Sequence, residues 1–91
     1  MQNLVRTPKN LGHAIRQARR EKNWTQAELA TRSGVWQETI SKAEAGKGGT
    51  KLDTVFALLA ALDVEIMVEK RVRPNKGNGM DGSFPAASNA P

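Results

Sequence analysis

The side chains best placed to do chemistry in this chain are amides, hydroxyls and amines lying between Gln26 and Lys51. In the stretch QAELATRSGVWQETISKAEA (26–45), the outward positions of the second half are Gln37, Glu38, Thr39, Ser41 and Lys42. On a helix they form one polar edge, of a width that fits the major groove of a DNA duplex. The Gln37 amide can bridge N6 and N7 of adenine, and the Glu38 carboxylate can accept from N4 of cytosine. Glu38 equally fits a plainer role, as a first-turn acid favoured by the helix dipole. Lys47 and Lys51 flank the end of this helix and are candidates for phosphate. Catalytic constellations are missing. The chain has no cysteine and one histidine, His13, which cannot hold a metal alone. Nothing ties Ser41 to His13, and Gly46, Gly48 and Gly49 lack phosphate-loop spacing. The residues therefore point to a binding protein that is not an enzyme and needs no cofactor or metal.

Such an edge must be held by something rigid, and the flanking residues supply it. Thr25 and Glu28 have the spacing of a capping box, with Trp24 and Leu29 at the two positions of a hydrophobic staple. They predict a helix from there to about Ser33, ended by Gly34 in a left-handed turn. A second helix is predicted over 37–45, with Val35 and Ile40 stapling its start and Gly46 ending it. Ala30 is small where the two helices cross, and Leu29, Val35, Ile40 and Ala43 point inward. Two helices across a short glycine turn make a helix-turn-helix over roughly 25–45. The plainer alternative is an ordinary helical hairpin with a solvated face.

Two further helices frame this pair. Thr7-Pro8 suits a helix start, and Leu11, Ala14, Ile15 and Ala18 recur at helical spacing through about residue 22. Arg16, Arg19, Arg20 and Lys22 fall on the opposite face, as a solvated run or as phosphate contacts. Thr50 and Asp53 have capping-box spacing before an apolar stripe of Leu52, Val55, Phe56, Leu59 and Leu62. Then the period becomes two: Val64, Ile66 and Val68 alternate with Glu65, Met67 and Glu69, which predicts a strand over 64–70. A lone strand cannot satisfy its own backbone. Pairing with the same strand of a second subunit is the economical solution.

Size and charge agree. A chain of 91 residues without disulfides is small enough to gain from oligomerisation. Its net charge of +5 favours polyanions. The start of the chain lacks a secretory apolar region, and the longest apolar run, Val55 to Leu62, is too short for a membrane span. The expectation is a cytoplasmic, nucleoid-associated protein without a membrane partner. From Arg73 on the sequence is rich in Pro, Gly, Asn and Ser and reads as a disordered tail. Met80, Phe84 and Pro85 within it are candidate anchors for a protein partner, or incidental. The organisation is an arm (1–7), a DNA-binding domain (8–63), a dimerisation strand (64–72) and a tail (73–91).

Residues 8–63 resemble the Cro/C1-type (XRE) helix-turn-helix family. The resemblance rests on W-T-Q-x-E-L-A at 24–30, S-G-V at 33–35, Q-x-T-I-S at 37–41 and E-x-G at 44–46. It implies an all-α, lambda-repressor-like fold of four helices. It also implies a base-reading set of Trp36, Gln37, Glu38, Ser41 and Lys42, and a phosphate set of Thr25, Gln26, Thr39, Lys47 and Lys51. Gln26 suits an anion, because it opens a helix where free N–H groups and the dipole point outward. Trp36 departs from the pattern: serine is usual there, and tryptophan caps a helix poorly. It would contact DNA or a neighbouring protein surface. Four helices, a strand and a tail further resemble HipB-type antitoxins. That likeness implies a homodimer on an inverted-repeat operator, repressing its own operon and binding a HipA-like kinase toxin. Two alternatives are a stand-alone or phage-type regulator, and a protein-interaction module that inhibits a partner enzyme.

Overall fold

The computed structural model describes residues 3–71, and the tail anchors Met80, Phe84 and Pro85 lie outside them. Four helices follow in order: α1 (Pro8–Glu21), α2 (Gln26–Ser33), α3 (Gln37–Glu44) and α4 (Leu52–Ala61). Local chemistry sets their limits. The Thr7 hydroxyl accepts from the Asn10 N–H at the head of α1, with Pro8 just inside it. At α2 both halves of the capping box form: the Glu28 N–H donates to Thr25 Oγ1 at 3.0 Å, and the Thr25 N–H donates to Glu28 Oε1 at 2.8 Å. Gly34 ends α2 at φ +76°, a conformation that costs other residues steric strain. Asn23 and Asp63, both at φ 60°, close α1 and α4, and Asn and Asp adopt this left-handed turn more readily than most residues.

These ends turn the chain so that one core fills between the helices. Ile15, Leu29, Ile40, Leu58 and Leu62 are almost fully buried, with Ala18, Ala43, Val55 and Leu59 around them. Leu11, Trp24, Ala30, Val35, Ala61 and Val64 pack on its rim. Burying each large side chain contributes about 1.5–3 kcal/mol. Of the four inward positions predicted on the two helices and their turn, Leu29, Ile40 and Ala43 lie in this core and Val35 packs on its rim.

Two expectations about α4 are corrected, and the 64–70 strand, expected only against a second subunit, is absent from the single chain. The cap of α4 is Lys51, with no side-chain cap bond, so Thr50 and Asp53 have capping-box spacing without the box. The buried stripe of α4 is Val55, Leu58, Leu59 and Leu62, whereas Leu52 and Phe56 are exposed at 70% and 53%. Residues 64–71 carry no strand within the single chain. Val64 is anchored by its N–H to Leu59 O at 3.0 Å, and beyond it Ile66, Met67 and Val68 are exposed.

Candidate nucleic-acid interface

The candidate reading edge is α3, and three neighbours hold it. From α2, Leu29 and the Gly34 turn fix its entry; beneath it, Ile40 and Ala43 seat it on the core. From α1 comes an unusually close approach. A Cβ at Gly12 would collide with the backbone carbonyl oxygen of Ala43 and lie 2.7 Å from that of Glu44. Only glycine lets α1 lie directly on the last turn of α3. Sequence reasoning missed this, because a glycine inside a helical pattern reads merely as a weak helix former.

A buried ion pair locks the same junction. Arg19 Nε donates to Glu44 Oε2 at 2.7 Å and its Nη2 donates to Glu44 Oε1 at 2.9 Å. Its Nη1 donates to the Trp24 carbonyl at 2.8 Å, in the link between α1 and α2. The Gln26 amide at the head of α2 donates to Glu44 Oε1 at 3.1 Å. One carboxylate thus ties α1, α2 and α3 together. The hydrogen bond to Glu44 pushes the Arg19 guanidinium pKa above its ordinary value against the opposing effect of burial, so it stays charged at any working pH. Arg19 therefore does not belong to the solvated face of α1, unlike Arg16 and Arg20, which are exposed. A signal was present: Glu44 follows Ile40 by four positions and Arg19 follows Ile15 by four, so both continue inward stripes.

The outer edge of α3 is open. Trp36, Gln37, Glu38, Ser41 and Lys42 are all exposed, and Thr39 is half-buried. Gln37 and Ser41, and Glu38 and Lys42, stand one turn apart on adjacent rows. Among the described residues the ion pairs are Arg19–Glu44 and Lys22–Asp63, so Glu38 and Lys42 carry no charged partner. Lys47 and Lys51 are exposed beyond the end of α3. Two members of the phosphate set already have work inside the chain: the Thr25 hydroxyl caps α2, and Gln26 spends one amide hydrogen on Glu44. The second amide hydrogen of Gln26 is the one left to meet an anion. Among the described residues there is no group of three or more His, Cys, Asp or Glu that could hold a metal, and no helix long and apolar enough to cross a membrane.

A rigidly seated helix that turns a polar, unpartnered edge outward, preceded by a capped helix and a glycine turn, defines a helix-turn-helix domain. The family model HTH_3, helix-turn-helix, matches residues 15–67, and the chain belongs to that family. Within it the chain is similar to Antitoxin HipB of Escherichia coli O6:H1 (strain CFT073) and of strain K12. Each is 36% identical over 62 residues, which is 68% of this chain and 66% and 70% of theirs. It is also similar to a chain of the HipA-HipB-O2-O3 complex, with 33% identity and a TM-score of 0.69 over 77% of this chain and 97% of that one. The XRE and HipB-type resemblance carried by W-T-Q-x-E-L-A is borne out by these matches.

Proposed function

We propose that the chain is a double-stranded DNA-binding repressor of the HipB type, the non-catalytic antitoxin of a kinase-toxin operon that it autoregulates. The observation that carries this is the edge of α3: five exposed side chains able to meet base edges, on a helix fixed from three sides. Trp36, Gln37, Glu38, Ser41 and Lys42 read bases, while Thr25, Gln26, Thr39, Lys47 and Lys51 meet phosphates. Two copies bind an inverted-repeat operator, joined through Val64, Ile66 and Val68, because a two-fold protein matches a two-fold site. The HipA partner of the similar HipA-HipB-O2-O3 complex supports a HipA-like kinase as the protein partner of this chain. Its setting is cytoplasmic, on the nucleoid.

The test is a salt series of operator binding. Log K should fall linearly with log salt, by about 0.9 per phosphate neutralised, with roughly six to ten phosphates met by the dimer. A flat response removes DNA as the main ligand. Co-purification of a kinase-like protein from native host extract supports the antitoxin role, and its absence favours a stand-alone regulator.

A further inference from the structure

Trp36 is the one exposed large apolar side chain among residues 25–49; the others in the described chain lie in the arm, on α4 or in 64–68. It is 82% exposed and occupies the cap of α3, where it makes no side-chain cap bond. A serine, threonine, asparagine or aspartate there would satisfy a free N–H of the first turn. Tryptophan forgoes that bond and leaves an indole in water, so the position breaks two local rules for no gain within the fold. Such violations collect at functional sites. The other tryptophan shows the contrast: Trp24 is half-buried against the core, with Lys22 Nζ 5.2 Å and Arg32 Cζ 4.4 Å from its ring.

The indole stands immediately before Gln37, at the end of α3 that leads into the groove. The apolar group on the floor of the major groove is the C5-methyl of thymine. We infer that Trp36 is a specificity determinant that selects a thymine in each half-site, by covering its methyl at or beside the base pair that Gln37 engages. This rests on the DNA-binding reading above. The surrounding chemistry favours DNA over a protein partner as the occupant. The flanking exposed side chains are the polar Gln37, Glu38, Ser41 and Lys42, and among the described residues no other exposed large apolar side chain lies between 25 and 49 to extend the indole into a patch.

The experiment uses the full chain and the duplex that it enriches from a randomised pool. Each thymine is replaced singly by deoxyuridine, which removes only the methyl. For the parent protein one position per half-site should cost about fourfold in affinity, the equivalent of one buried methyl. For Trp36→Ala, whose fold is unaffected by loss of an exposed side chain, the same replacement should change nothing. In a Trp24→Phe background, the remaining indole emission should shift and quench on adding that duplex. Equal sensitivity of parent and Trp36→Ala at every thymine overturns the inference. So does an indole emission that responds to a protein partner but not to the duplex. If no duplex is enriched at all, the DNA-binding reading falls first and this inference with it.

Discussion

The edge of α3 and the segment 64–70 are both exposed, but for opposite physical reasons. The α3 edge is mostly polar, and water satisfies it as well as a partner would; it costs the free chain little beyond Trp36. Its backing is where the energy lies: Ile40 and Ala43 in the core, Gly12 against the last turn, and Arg19 on Glu44. In the 64–70 segment, Ile66, Met67 and Val68 are apolar and exposed, with only Val64 anchored to the core. An exposed apolar strand-like run is an aggregation hazard unless another chain covers it. Under the proposed function, one region is complete before its ligand arrives, and the other is complete only with a partner.

Ile66→Pro strikes the second region alone. It removes a ladder donor where a partner strand would pair. Sedimentation should show monomer, and operator affinity should fall toward the non-specific level, which lies about 4–10 kcal/mol below specific binding. Helical circular dichroism should persist. A dimer with full operator binding would show that the two regions are not divided in this way.

The backing of α3 is tested by Arg19→Met. It strands the Glu44 carboxylate, and breaking one side of a buried pair costs about 3–5 kcal/mol. Urea denaturation should show that loss, and Lys22→Met should serve as the contrast. The Lys22–Asp63 pair spans 3.2 Å but its aspartate is 81% exposed, so it is worth about 0–1 kcal/mol after screening. Similar losses from the two substitutions would deny the buried pair its special place. Between them in size comes Gly12→Ala, which must push α1 away from α3 and should cost about 1–3 kcal/mol as overpacking. A neutral result in thermal unfolding would mean that the α1–α3 approach is slack. The smallest effect has the opposite sign: Trp36→Ser should gain about 0.5–1 kcal/mol from a restored cap.

What the sequence disclosed and what it hid divide along the same line. Thr25, Glu28, Leu29, Gly34 and Ile40 were legible because capping, a left-handed turn and an inward stripe are short-range requirements, each met within a few residues. The family phrase at 24–46 placed the exposed edge for the same reason. The inward stripes carried a signal for Arg19 and Glu44 singly, but their pairing was hidden because they are 25 residues apart, and a charge read by local composition is assigned to water. Gly12 was hidden because its need arises only where α1 crosses α3. Thr50 misled in the other direction: its spacing to Asp53 is right, but the chain enters α4 at Lys51. Leu52 and Phe56 show that periodicity gives the direction of an apolar stripe better than its width.

The division of labour around α3 is tested most directly by competition binding of Gln37→Ala and Lys47→Ala against a panel of single-base operator variants. Gln37→Ala should lose about 1–3 kcal/mol per half-site on the preferred sequence and cease to discriminate at one base pair. Lys47→Ala should weaken every sequence by a similar factor, keep the order of preference, and lower the salt slope by about one for each phosphate left without its lysine. Two variants that weaken all sequences alike, with the same order of preference retained, would contradict α3 as the reading edge.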